Sequence, residues 1–89
     1  MIRVSFTKSL ERFVACPARD VAGRTVAEAL GAVFASDPRL KTYLLDEQGV
    51  LRKHLAVFVD GRAVKDRLGL ADAVRDGGEI LVMQALSGG

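Results

Sequence analysis

Apolar and polar residues alternate at the start of the chain: in "IRVSFT", Ile2, Val4 and Phe6 fall on one side and Arg3, Ser5 and Thr7 on the other. A period of two is what a strand with one wet face produces, so this run predicts the first strand. A second is expected at "RFVAC", residues 12–16, after a polar break at Lys8 and Ser9. That run is rich in strand-forming residue types and stops at Pro17, which has no amide hydrogen for a ladder bond. The two runs together predict a hairpin.

Beyond the loop "PARDVAGR" the period changes. Val26, Ala29, Leu30, Val33 and Phe34 recur at i, i+3, i+4, i+7 and i+8, one stripe of a helix able to lie on the inner face of a sheet. Thr25 and Glu28 have the spacing of a capping box, in which the Thr25 hydroxyl accepts from a first-turn amide and Glu28 reaches back to the Thr25 amide. Ser36, Asp37 and Pro38 end this helix. "PRLKTYLLDEQG" predicts a short second helix, with Asp37 as cap, Pro38 at its first position and Gly49 closing it.

"HLAVFVDGRAV" predicts a strand, a tight Asp60–Gly61 turn that requires positive φ, and a return through Arg62 to Val64. "LGLADAVRDGGE" predicts a short helical turn packing Leu70 and Val74, then a reversal at Gly77 and Gly78. "EILVMQ" is almost wholly apolar, as expected of a strand in the middle of a sheet and covered on both sides. The order is strand, strand, helix, strand, short strand, strand. One main helix across a mixed sheet, with the last strand inserted beside the first, satisfies every apolar stripe; that is an α+β chain of the β-grasp, or ubiquitin-like, class. The expected organisation is one domain over residues 1–84 and a flexible tail over 85–89 ending in Gly-Gly, with no internal repeat.

With 49% hydrophobic and 27% charged residues in 89, the chain can form one small core, which argues against disorder outside the tail. The net charge of +2 comes from bases dispersed among acids, so no nucleic-acid partner is expected. Cys16 is the one cysteine, which removes an intrachain disulfide and a cysteine zinc site and fits a reducing cytoplasm. "MIRVSFTKSLERF" lacks the charged stub and unbroken apolar core of a signal peptide, and no stretch approaches the ~20 apolar residues of a membrane span. A cytoplasmic protein without membrane contact is expected.

Enzymatic chemistry of its own is the reading these residues support least. His54 stands beside Lys53 at the entry to a strand, and Cys16 closes a predicted strand as a packing residue; neither has a partner set for acid–base, nucleophilic or metal chemistry. The glycines of "DGGEI" lead from a turn into a strand, not from a strand into a helix N-terminus, so they form no phosphate cradle. Asp46 and Glu47, like Asp72 and Asp76, lie in turn contexts and are expected to be solvated. Phe6, Phe13, Phe34 and Phe58 occupy core or strand positions, as packing residues do, and form no base-stacking platform.

The remaining candidate chemistry lies in "ALSGG". An extended tail advances ~3.3–3.6 Å per residue, so Ala85 to Gly89 would reach well over ~10 Å into another protein. Without Cβ atoms, Gly88 and Gly89 can thread a narrow channel and leave the last carbonyl open to attack. A carboxylate is inert until a partner converts it to a mixed anhydride, for which an adenylate is the natural choice; attack by sulfur would then give a thiocarboxylate. Two other uses stay open: transfer of the activated glycine to lysines as a protein modifier, or a non-covalent module binding through an edge strand or the sheet face around Phe58.

"TVAEAL", "HLAVFVDGRAV", "DGGEILVM" and "LSGG" together resemble the ubiquitin-like sulfur-carrier family, the MoaD/ThiS group that serves molybdopterin, thiamin and cysteine synthesis. The resemblance covers nearly the whole chain. It implies that Gly89 bears the adenylate and then the thiocarboxylate and that Gly88 and Ser87 thread the partner's channel with Leu86 as anchor; Phe58, on the sheet face, is expected as a further partner contact. The implied partners are an E1-like adenylating enzyme, a sulfur donor protein and an acceptor synthase, of which this chain could form the small subunit. ATP and Mg would belong to the activating partner, and this chain would bind no cofactor. Met83, Gln84 and Ala85 stand where many molybdopterin carriers have prolines, and "DGGE" replaces the commoner "DGDE". The stretch from Asp37 to Lys53 makes the chain longer than the compact thiamin-type carriers, while "LRKHLAVFVDG" is similar to the cysteine-synthesis carriers. Cysteine or molybdopterin synthesis therefore comes ahead of thiamin.

Overall fold

The computed structural model describes residues 1–11 and 16–84. In chain order the elements are β1 (Ile2–Phe6), α1 (Lys8–Glu11), β2 (Arg19–Val21), α2 (Val26–Ser36), α3 (Pro38–Leu44), β3 (Leu55–Val59), β4 (Arg62–Ala63) and β5 (Glu79–Gln84). The strands form one mixed sheet in the order β2-β1-β5-β3-β4, with β5 parallel to β1 and antiparallel to β3. The last strand is thus inserted centrally beside the first, as the sequence predicts, and the fold is a β-grasp.

Alternation in β1 buries Ile2, Val4 and Phe6, and register with β5 puts Val4 beside Ile80 and Phe6 beside Val82 on the same face. The stripe of α2 buries Val26, Ala29, Leu30 and Val33 and partly buries Phe34; these residues share one cluster with Leu55, Val57, Ile80 and Val82. Leu40 and Leu44 of α3 extend that core, and Cys16 is buried in it. Among the described residues no helix is long and apolar enough to cross a membrane.

The start of α2 differs by one residue from the expected capping box. Thr25 Oγ1 accepts from the Glu28 amide at 3.1 Å, but Glu28 Oε1 accepts from the Arg24 amide at 3.0 Å and not from that of Thr25. A bridge between Thr25 and Ala73 fixes this approach: the Val26 amide donates to the Asp72 carbonyl at 3.0 Å and the Val74 amide to the Arg24 carbonyl at 2.8 Å.

The antiparallel partner of β1 among the described residues is not the run expected at 12–16. The strand beside β1 is Arg19–Val21, in the stretch expected to be a loop, with Ile2 opposite Val21 and Arg3 opposite Asp20. The chain instead leaves β1 through the α1 turn, where the Leu10 amide donates to the Thr7 carbonyl at 3.0 Å and Leu10 is fully buried. Residues 12–15 of the expected second strand lie outside the described residues, and Cys16 belongs to no strand.

Two further expectations are corrected by side chains that capture backbone amides. Gly49 does not close α3, which ends at Leu44; it sits at φ +80° in a turn where Asp46 Oδ1 accepts from the Gln48 and Val50 amides at 2.9 and 3.0 Å. Asp37 holds the position before α3, but its side chain makes no capping bond. The stretch from Leu68 to Glu79 forms no helix; the Leu70 amide closes a single turn on the Asp66 carbonyl at 2.8 Å, and Leu70 and Val74 are buried as expected. Asp72 accepts from the Lys65 and Asp66 amides, both at 2.9 Å, and Asp66 from the Gly69 amide at 2.9 Å, which is how such side chains compete with helical bonding.

Candidate functional site

The helices cover one face of the sheet. On the other, register aligns Ser5, Leu81, Phe58 and Ala63 across four strands, with Met83 opposite Ala56 in the next row. Alternation in β5 sends Ile80 and Val82 inward, where they are buried, and leaves Leu81 and Met83 half-buried outside. The expectation that β5 is covered on both sides is therefore corrected for the described residues: an apolar run needs burial, but among them the helices lie on one face only. Phe58, Leu81 and Met83, with Gly61 and Glu79, line a concavity of about 360 Å³. An apolar depression on a sheet without its own cover is a contact surface by chemistry.

The Asp60–Gly61 turn fixes one lip of this depression. Both residues have positive φ, +48° and +85°, as the two-residue turn between β3 and β4 requires. Asp60 also accepts from the Glu79 amide at 2.9 Å and from Arg75 Nε at 3.2 Å, so the turn is tied to the first residue of β5. The Glu79 amide, and then the charge and hydrogen bond of Arg75, hold the Asp60 carboxyl below the usual carboxylate range.

Of the predicted site residues, Phe58 is on this face, half-buried, and not in the core. Leu86, Ser87, Gly88 and Gly89 lie outside the described residues. The described strand that leads to them is β5, held on both sides: Gln84 is opposite Leu55, and the Thr7 amide donates to the Val82 carbonyl at 3.1 Å. The described chain thus ends on the central strand of the sheet, next to Met83.

Leu81 and Met83 are the residues that sequence reasoning missed at this site. The signal was available: the Asp60–Gly61 turn sets the register that puts Phe58 on the outer face. Among the other candidates, His54 is exposed and Cys16 buried. Asp46 and Asp72, expected to be solvated, bind turn amides, while Asp76 pairs with the amino group of Met1, the chief cause of its lowered pKa. No group of three or more His, Cys, Asp or Glu able to hold a metal occurs among the described residues.

Comparison with known proteins adds an independent line. The family model for the ThiS family matches residues 14–89. In the solved Amycolatopsis orientalis BexX/CysO complex, a chain 26% identical is covered in full, as is this chain, with a TM-score of 0.80. SAMP1 from Haloferax volcanii is also 26% identical, with a TM-score of 0.76 over 99% of this chain and 98% of that one. The complex of subunits 1 and 2 of the Helicobacter pylori molybdopterin-converting factor holds a chain 19% identical with a TM-score of 0.63, over 99% of this chain and 97% of that one, a likeness of fold. The search of curated proteins finds no match.

Proposed function

This chain belongs to the ThiS family of ubiquitin-like sulfur carriers, and from that premise we propose that it carries sulfur as a thiocarboxylate on Gly89. The observation that supports this is a family match running through Gly88 and Gly89, on a fold whose central strand leads into them. In this reading residues 1–84 are the rigid body and 85–89 the tail that enters the partner.

The first step takes place on an E1-like partner, which holds ATP and its magnesium. A Gly89 carboxylate oxygen attacks the α-phosphorus, pyrophosphate leaves, and the carboxylate becomes an acyl adenylate. A persulfide sulfur on a donor protein then attacks the Gly89 carbonyl and AMP leaves. A second thiol cleaves the resulting acyl disulfide, which releases the thiocarboxylate and oxidises the two thiols to a disulfide. The acceptor synthase takes the sulfur and returns the carboxylate. The absence of side chains at Gly88 and Gly89 keeps the carbonyl open to each nucleophile, with Gly88 and Ser87 threading the partner's channel and Leu86 as anchor. The face of Phe58, Leu81 and Met83 is the docking surface beside that tail. The stretch "LRKHLAVFVDG" supports cysteine synthesis, beside molybdopterin synthesis and ahead of thiamin.

Intact-mass measurement on protein from its native cell should show one oxygen replaced by sulfur at the C-terminus. Deletion of Gly89 should abolish ATP–pyrophosphate exchange by the activating enzyme while the fold persists; undiminished exchange, or a natural product that runs on uncleaved past Gly89, overturns the reading.

Similarity to a protein named small archaeal modifier protein 1 gives a second reading, in which the same activated glycine is passed to lysines of other proteins. Lysine-bound Gly-Gly remnants in digests, with no thiocarboxylate, would favour it.

A further inference from the structure

The charges at the two ends of the open sheet face are arranged differently. Where β5 begins there are two ion pairs and an exposed acid, Glu79: Arg3 lies 3.1 Å from Asp20, and Arg75 lies 3.2 Å from Asp60. Where β5 ends, Lys8, Lys53 and Lys65 are exposed, and none forms an ion pair among the described residues.

Topology gathers these three lysines from distant parts of the chain. Lys8 follows Thr7, whose amide is bonded to Val82 near the end of the parallel strand β5. Lys53 precedes β3, whose first residue, Leu55, is opposite Gln84. Lys65 follows Val64, whose amide donates to the Val57 carbonyl at 3.0 Å, and so it continues β4 towards the same end. Arg67 adds a half-buried cation there, its guanidinium donating to the carbonyls of Leu55 at 2.8 Å and Arg52 at 3.1 Å. Asp66 and Asp72 are acids beside Lys65 that also accept from turn amides, and the Asp72 charge offsets part of that of Lys65. Arg52 donates to the Thr42 carbonyl at 3.1 Å and shares a cleft with Asp46 and Glu47.

We propose that Lys8, Lys53 and Lys65 form a basic collar at the base of the tail that docks an acidic rim on the protein that activates Gly89. The inference rests on the carrier reading and adds to it the charge of the partner. An apolar centre at Phe58, Leu81 and Met83 with a charged margin has the make-up of a protein interface. Nucleic acid would instead call for a continuous basic stripe. Charges at such a margin act on encounter and orientation, bringing the carrier to the channel mouth tail first.

The test uses the enzyme that catalyses ATP–pyrophosphate exchange on the wild-type chain, purified from the producing cell, with KM for the carrier measured from about 20 to about 200 mM salt, a range over which surface charges become screened. Lys8→Glu/Lys53→Glu/Lys65→Glu should raise KM about tenfold or more at low salt with kcat within about twofold, and should remove the rise of KM with salt that the wild type shows. Its thermal unfolding should stay close to that of the wild type, since all three side chains are exposed and only Lys65 acts on a carboxylate that holds a turn, that of Asp72. A second triple, Arg24→Glu/Arg39→Glu/Lys41→Glu, puts the same net charge elsewhere on the surface and should leave KM near the wild-type value. The collar is overturned by a wild-type KM and salt dependence in the first triple, by a loss in kcat alone, or by an equal loss in the second triple. If deletion of Gly89 stops exchange while the first triple behaves as wild type, only the collar fails. Exchange that survives the deletion overturns the carrier reading and the collar together.

Discussion

Phe58 stands directly opposite Leu81 on the face of the sheet that carries no helix. Their neighbours Val57 and Val82, also opposite one another, are buried on the other face. Two faces of the same two strands should therefore answer differently to substitution. Phe58→Ser or Leu81→Ser removes a cross-strand pair worth about 1 kcal/mol or less, and should weaken the activating complex about tenfold or more. Val57→Ala removes buried methyl groups and should cost about 2 kcal/mol of stability with KM unchanged. Urea unfolding and exchange kinetics on the same variants separate the two effects; a normal KM for both serine variants would show that the face is not a docking surface.

Arg67 is expected to contribute more to stability than a surface cation does. Its two donated bonds tie the loop after β4 to the entry of β3, at Leu55 and Arg52. Arg67→Ala would leave the Leu55 carbonyl short of a partner and the Arg52 carbonyl with the Leu55 amide alone, at 3.0 Å, and should destabilise by about 1–2 kcal/mol. Lysine cannot reproduce the planar fork, so Arg67→Lys should recover less than half of that loss. A wild-type urea midpoint in Arg67→Ala would refute this.

What the sequence showed and what it hid follow from how local each cause is. The β1 alternation, the α2 stripe and the Asp60–Gly61 turn are set within a few residues of chain, and all three appear where predicted. β2 was not legible because Arg19–Val21 is short and polar; it is a strand only because Ile2–Val4 pairs with it, and Arg3 and Asp20 lie opposite one another. The apolar character of "EILVMQ" announced its central place in the sheet, but nothing within it says that helices lie on one side only. The lysines near the end of β5 sit in three separate connections, so no basic stripe appears in the linear sequence. The glycines at 88 and 89 lie outside the described residues, and the role proposed for them comes from residue type and position in the chain.

Gly78 should resist substitution because of close approach, not because of an unusual dihedral angle. A Cβ there would stand 2.9 Å from the Arg75 carbonyl oxygen and 3.0 Å from Val74 Cγ1. The residue cannot easily withdraw, since its carbonyl accepts from the Arg3 amide at 3.0 Å and its amide donates to the Arg75 carbonyl at 2.9 Å. Gly78→Ala should therefore destabilise by about 1–3 kcal/mol, with the loss spreading to the start of the β1–β5 pairing. Thermal unfolding with hydrogen exchange at Arg3 measures both parts; a wild-type melting temperature would show that the turn yields freely.

Acid should weaken the fold through the carboxylates that hold its turns. The Lys65 and Asp66 amides, in that order of effect, keep the Asp72 carboxyl below the usual range, with the Lys65 charge adding to them and desolvation opposing. A carboxyl whose pKa is lower in the folded than in the unfolded chain contributes stability that is complete above the unfolded value and disappears as pH falls through the folded one. The urea midpoint should therefore stay level from about pH 7 to about pH 5 and fall below about pH 4, where free carboxylates protonate. Asp60, lowered by the Glu79 amide and Arg75, contributes in the same window. Asp72→Asn keeps one acceptor oxygen for two amides, so it should lower the midpoint at pH 7 and make the fall in acid shallower. It should also loosen the turn that carries Lys65 and raise KM more than kcat changes. An acid limb in Asp72→Asn as steep as that of the wild type would mean that the Asp72 turn opens before its carboxylate titrates, and that other groups set the acid sensitivity.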